Sequence, residues 1–551
     1  MVDVNKLLKR RDNRQVFKDI NDASQPALDV NRLCRRRSNA KSDLDKWRSL
    51  LETAYHYSMP DYNPFENFGQ GGAVAPGQQY SADTYDLTLV IAHKRLADKM
   101  LMGLVPQGQQ WMKFKPGDAF GSPTEDLYMQ AAEATQEMTD QFYKILDRSN
   151  FYTAVGESLN DVLISTGALA INEGTRKDPL KFEAVPASHI MFEGNAQGGI
   201  DAVFRDWYNV RVENIKEMWP GADAPKDKDA DHKVTIWECA YRDNDATDDK
   251  KYKYVVMTDS KEILLEQSNP SWPWVVYRMR KLAGETRGRG PSMQAYPTAA
   301  TINEAMKDEL IAAAFKANPM YMAASDSAFN QRTFTAKPGA VVPVQMVMGQ
   351  WPIQGFPATG DINFSALVIN DLRQQINELM FSSPLGNIAN TPDRTATEVS
   401  IRNAENLEAF AAMVPRLQSE FFTPVIERSM WIINKVLPDT FGRIDPEIKS
   451  KMLSLDGELL DLRYETPLMT ERGKIKITTL MDFYQSVSSM IGPEGATAVL
   501  DVPNVVINAA EDMGIDLKNI KSKDELDQLM AAAGQAADQV AEQQGVDINE
   551  Q

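Results

Sequence analysis

The sequence predicts an α+β chain in which helix predominates, and three observations predict it. Long stretches at both ends of the chain carry apolar residues at helical spacing. A central block, about 168 to 280, instead alternates apolar and polar residues between turn signals, as antiparallel strands do. The composition, 43% hydrophobic and 25% charged over 551 residues, is that of a chain that buries a sizeable core. At roughly 150 residues per unit, the length suggests three or four structural units.

Charge and cysteine content exclude several classes of function. Acidic residues number 77 and basic residues 59, a net charge of −18, so the chain does not coat nucleic acid by charge alone. The balance is +6 over residues 1–50 and −8 over 501–551, giving a mildly basic head and an acidic tail, each the ordinary pattern of a solvated face. Cys34 and Cys239 are the only cysteines, which rules out a disulfide framework and a cysteine-based zinc site and fits a reducing cytoplasm. The opening MVDVNKLLKRRDN has no apolar segment behind its basic residues, so no secretory signal is expected. The most apolar candidate span, Leu87 to Val105, is broken by His93, Lys94, Arg95, Asp98 and Lys99, so a soluble protein with no membrane partner is expected.

Each element follows from local spacing. In 39–57, Leu44, Trp47, Leu50, Leu51 and Ala54 make one helical stripe that stops at Met59-Pro60. A Gly/Gln/Pro-rich surface loop, Gly69 to Gln79, precedes helices over Tyr85 to Leu104, Glu125 to Arg148 and Phe151 to Gly167. Strands are predicted at 169–171, 182–185, 202–207, 233–237, 252–257 and 274–279. From Ser292 to Lys316 a helix carries Ile302, Met306, Leu310 and Ala313 on one stripe and ends at Asn318-Pro319. The Pro/Gly-rich stretch 319–360 reads as a small extended module. Phe364, Val368, Leu372, Ile376 and Met380 then follow at strict i,i+4 spacing. A polar loop from Ser382 leads into a long helical pattern from Thr395 to about Val436, with Pro415 and Pro424 as expected kinks. Helices around 479–491 and 502–513 and an Ala/Gln-rich tail complete the chain, with no internal repeat.

Catalytic signatures are missing. No GxxxxGK[ST] loop is present, and GETRGRG (284–290) lacks the dinucleotide register and reads as a flexible turn capping the helix at Pro291. The four histidines (56, 93, 189, 232) are too far apart for a metal motif, Ser38 to Lys41 matches S-x-x-K without its companion motifs, and lysines interrupt the acidic loop 223–231. No catalytic residue, cofactor or metal is expected. The informative feature is an arrangement: helix, compact module, helix, polar loop and long kinked helix, in order from 291 to 437. The module would be displayed at the end of an antiparallel helical pair, and that pair would pack against copies of itself.

This order, with several local strings, resembles the portal (head-to-tail connector) proteins of tailed phages, particularly the short-tailed kind, over roughly 40–530. The strings are Tyr55 to Pro60 (YHYSMP), Leu96 to Met100 leading to Pro106 and Trp111-Met112, Ile164 to Gly167, Ser188 to Ile190, Arg280 to Ser292 and Arg394 to Val399. The resemblance implies a portal-type fold of wing, stem helices, small α/β clip and helical crown. It also implies a ring of usually twelve copies at one capsid vertex, the channel through which double-stranded DNA is packaged and ejected. Mapped here, 1–290 is the N-terminal arm and wing, 291–317 and 362–381 are the stem helices, and 318–361 is the clip. The channel loop is 382–394, the long wing helix 395–437, and 438–551 forms the C-terminal wing or crown and acidic tail.

Three sets of residues carry roles within that resemblance. Ser383, Gly386, Asn387, Asn390 and Arg394 face DNA in the channel loop, where Pro384 and Pro392 interrupt the flanking helices. Gln331, Arg332 and Lys337 in the clip dock the terminase large subunit and later the tail adaptors. Phe364, Val368, Leu372, Ile376 and Met380 pack the ring. Scaffolding and major capsid proteins are the other implied partners, and the location is the virion after assembly in the host cytoplasm. The alternatives are another virion component, such as a tail adaptor or tube protein, and a cytoplasmic enzyme with an unseen site.

Overall fold

The computed structural model describes residues 29–62, 64–65, 83–117, 126–195, 198–226, 228–243, 251–317, 321–323, 353–355, 362–381, 413–438, 460–464, 483 and 485–490. The helices are α1 (Val30–Ser58), α2 (Thr88–Leu104), α3 (Asp126–Leu146), α4 (Phe151–Ile164), short α5 (Ile215–Met218), α6 (Pro291–Ala317), α7 (Ile362–Leu379), α8 (Val414–Leu417) and α9 (Thr423–Val436). The strands are β1 (Met112–Pro116), β2 (Thr166–Glu173), β3 (Leu180–Ala184), β4 (Ile190–Gly194), β5 (Ile200–Arg211), β6 (Lys233–Arg242), β7 (Tyr252–Thr258), β8 (Ile263–Asn269), β9 (Trp274–Arg278), β10 (Tyr321–Ala323), β11 (Ile353–Gly355) and β12 (Leu460–Tyr464). The class is α+β: every ladder is antiparallel, and helix outweighs strand among the described residues. None of the described helices is long and apolar enough to cross a membrane.

The strand block at 168–280 splits into two sheets. One is a five-stranded meander in the order β4-β5-β6-β7-β8, the other a three-stranded sheet in the order β3-β2-β9. β2 is buried along Thr166–Ile171, which hides the alternation a half-exposed strand would show. β4 and β8 lie outside the strands predicted, being short edge strands fixed by pairing with β5 and β7. β1 and β12 are also tertiary products: Met112 pairs with Tyr464 from about 350 positions along the chain.

α1 begins at Asp29, whose Oδ1 accepts the Arg32 N–H at 3.0 Å, well before the predicted start at 39. Its basic first half hides the apolar periodicity. Arg36 pairs with Glu193 at 2.7 Å and Arg37 with Asp206 at 2.8 Å, so part of the basic head clamps α1 onto the five-stranded sheet. The largest core gathers α2, α3, α4, the inner halves of α6 and α7, and α9. At its centre Trp111 stacks on Phe151, ring centroids 6.0 Å apart, and lies 5.2 Å from Phe422.

Two expectations are corrected. The glycine turn 284–290 is a packed joint and not a flexible cap. Gly288 N–H donates to Thr166 Oγ1 (3.1 Å), Ser165 Oγ to the Gly288 carbonyl (2.9 Å) and Gly290 N–H to the Ile164 carbonyl (2.9 Å). Of the long helix predicted over 395–437, residues 395–412 lie outside the described residues, and the rest is interrupted not by a simple proline kink but by a π-helical turn, Gln418–Phe422, between α8 and α9. Pro424 has no N–H to offer the Glu420 carbonyl, and the Thr423 N–H instead reaches back five residues to Gln418.

Candidate assembly surface

α6 and α7 run antiparallel: the Ser292 hydroxyl donates to Met380 Sδ at 3.7 Å near one end, and Arg373 Nη2 lies 3.6 Å from Met306 Sδ further along. Their inner halves belong to the core through Ala295, Ala299, Ile302, Ile369, Ile376 and Met380. Their outer halves leave it. Ile302 is fully buried, but two turns later Leu310 is 53% exposed and Ile311 is exposed beside it. On α7, Leu367 is 71% exposed and Val368 is also exposed. Next in the chain stands a two-stranded ladder in which Tyr321 pairs with Gly355 and Ala323 with Ile353.

A polar clasp fixes where this pair meets α2. Asn303 of α6 accepts the Tyr85 and Asp86 N–H groups at 2.6 and 3.3 Å and donates to the Asp83 carbonyl at 2.9 Å. Asp86 Oδ1 caps α2 by accepting the Thr88 N–H at 2.9 Å, while its Oδ2 takes Arg373 Nε and Nη2 of α7 at 3.0 and 2.7 Å. Asp86 thus joins three elements, α2 and α7 through its carboxylate and α6 through its backbone N–H. Leu87 and Ile91, exposed at the start of α2, sit beside that clasp. At the far end of α7, Lys99 Nζ reaches the Phe381 carbonyl at 3.4 Å, and Phe381 holds φ at 48°, a left-handed conformation that ends the helix.

The ring-packing residues predicted on α7 divide along this geometry. Ile376 and Met380 are covered by this chain's own core and supply no free surface, while Leu372 is partly buried against that core. Val368 is exposed, and Phe364 lies in the helix with its side chain outside the described residues. The clip residues Gln331, Arg332 and Lys337 and the channel-loop residues Ser383, Gly386, Asn387, Asn390 and Arg394 lie outside the described residues. Asp86, Asn303 and Arg373 escaped sequence reasoning, since single polar residues in helical stretches carry no pattern. Leu310 did carry the signal, as the last large residue of a stripe whose earlier members are covered.

A second concentration of polar contacts joins the strings that carry the resemblance. Tyr55 donates to Asp161 at 2.5 Å, Arg287 Nη2 donates to the Ile190 carbonyl at 2.7 Å, and Ser165 and Thr166 hold Gly288. Nearby, Arg278, 1% exposed, forms bonds of 3.0 and 2.6 Å with Glu420 of the π-helical turn. The histidines are unequal: His93 and His189 are buried, and burial lowers each to about 4, whereas His232 is exposed. Among the described residues, no group of three or more His, Cys, Asp or Glu is placed to hold a metal.

The family of bacteriophage head to tail connecting proteins matches residues 30–520. The chain belongs to that family. The match spans every described element except the N-terminal cap Asp29, so the projecting pair and the two sheets are parts of a connector, a family named for a structural junction and not for a reaction. No curated protein matches the connector's sequence. Among solved structures, a chain from the neck of an empty GTA particle aligns with 13% identity over 79% of this chain and 92% of that one. Its TM-score is 0.35, too low to carry an argument about fold.

Proposed function

We propose that this connector is the portal of the phage particle: a homo-oligomeric ring of twelve copies at one capsid vertex, through which double-stranded DNA is packaged and ejected. The observation that carries the reading is the apolar surface on the outer halves of α6 and α7, where Leu310, Ile311, Leu367 and Val368 stand exposed. Four large apolar side chains on one projecting helical pair are best buried against a copy of the same chain. In a closed ring such contacts are heterologous, so the surface need only match a different face of its neighbour. The clip 318–361 then docks the terminase large subunit and afterwards the tail adaptors, with Gln331, Arg332 and Lys337 as contacts. The loop 382–394 faces the duplex, and scaffolding and major capsid proteins surround the rim. Net charge of −18 per copy suits a passage that DNA slides through without being gripped.

Native mass and negative-stain images of the purified chain test this. Flared rings with a central hole are expected. The double variant Leu310→Glu/Leu367→Glu is expected to give monomers with an unchanged far-UV circular dichroism spectrum. A wild-type chain that is monomeric at micromolar protein across salts would overturn the ring, and rings of unchanged mass in the variant would overturn the assigned surface.

A further inference from the structure

Asp161 lies in the last turn of α4, buried in the joint where α4 meets α1 and the glycine turn 284–290. Its Oδ1 accepts one hydrogen bond, from the Tyr55 hydroxyl of α1, at 2.5 Å. Among the described residues no basic side chain donates to it. The groups that face it are Tyr55, Tyr62 just beyond α1, and Tyr277 of β9, whose hydroxyl donates to the neighbouring Ser158; Glu157, one turn earlier on α4, acts on Tyr62. On the α2 side His93 approaches Asn160. The one cation in the joint is Arg287, which acts on Tyr55, donates to the Ile190 carbonyl and stacks on Phe192 at 4.7 Å. A carboxyl with one donor and no paired cation is poorly compensated as an anion in such a place.

We propose that the buried joint around Tyr55 and Asp161 is proton-gated: α1 stays fastened to α4 while the carboxyl is protonated, and the uncompensated buried anion left by loss of that proton loosens α1. The electrostatics agree in direction. Burial lifts the Asp161 carboxyl from 3.8 to about 7, and the Tyr55 hydrogen bond opposes that rise. When the joint opens, water reaches the carboxyl and its affinity for the proton falls. Between those two values the closed joint therefore holds a proton that the open one has released, so raising the pH favours opening. The response therefore spans the acid-to-neutral range between those two values and levels off above about 7.

The test is hydrogen–deuterium exchange of the full chain at pH 6 and pH 8.5, with rates corrected for intrinsic pH dependence and read on the amides of residues 51–58. Linkage between the two proton affinities sets an expected loss of protection of about tenfold between those pH values in the wild type. Asp161→Asn keeps the shape and hydrogen bond but cannot ionise, and its protection is expected to be equal at both pH values. Tyr55→Phe removes the donor that favours the anion, so the midpoint of the pH response should move upward. Protection in the wild type that is independent of pH, an equal pH response in Asp161→Asn, or a downward midpoint in Tyr55→Phe would each overturn the proposal.

Discussion

A Cβ on Gly290 would sit 1.9 Å from the Leu163 carbonyl oxygen, and one on Gly288 would sit 2.3 Å from the Ser165 carbonyl oxygen. Both obstacles are backbone, so the chain itself must move to admit a methyl group. These glycines are required by close approach, while Gly284, with φ at 83° and open space around it, is required by its conformation. Gly290→Ala is expected to destabilise the fold by about 3 kcal/mol, read as a lowered melting temperature, whereas Gly156→Ala meets only the Leu101 side chain, at 3.4 Å. The sequence showed the glycines as a punctuated run but not their purpose: the carbonyls they avoid lie about 125 positions earlier in the chain.

Helices and strands were legible where local spacing and residue type marked them. The stripe of α1 through Leu44, Leu51 and Ala54 is buried as its spacing predicts, and the six predicted strands all fall on observed ones. Elements shaped by long-range partners were not legible. The π-helical turn 418–422 exists where a proline removes one N–H and where Glu420 reaches Arg278 of β9. Neither condition appears in a hydrophobic period. Arg278 also donates to the Thr286 and Gly198 carbonyls, at 2.6 and 3.2 Å, so one guanidinium ties β9 to two turns and the last core helix. Arg278→Met should leave Glu420 beside the core with Arg416, at 3.0 Å, and the backbone N–H of residue 278, at 3.1 Å, as its remaining partners. A loss of about 3–5 kcal/mol is expected in denaturant unfolding, the range for breaking a buried pair. The isosteric Glu420→Gln should cost less, because its amide oxygen still accepts from the guanidinium.

Taken whole, the chain presents an acidic surface to its own copies. Each subunit carries −18, so a ring of them repels itself unless the solution screens the charge. Under the portal reading, raising monovalent salt from about 0.05 to 0.5 M should shift the population toward rings in analytical ultracentrifugation, because screening weakens repulsion while apolar burial is retained. An opposite shift, rings falling apart as salt rises, would mean that attraction between charges holds the interface and not the apolar surface of α6 and α7.

By itself the sequence determined the class of the fold, the elements with strong local periodicity and the lack of a catalytic signature, because those depend on spacing and residue type along the chain. It also indicated the helical pair, since periodicity there is strong and the interruptions are prolines. What only the tertiary structure decided is which apolar residues are left over. Phe364, Val368, Leu372, Ile376 and Met380 are equivalent in a pattern of four, yet Ile376 and Met380 are consumed by the core while Val368 stands outside it. Helical spacing fixes only the direction in which a side chain points. Whether something lies there depends on where the core ends, and that is set by α2, α3 and α9 packing from distant parts of the chain.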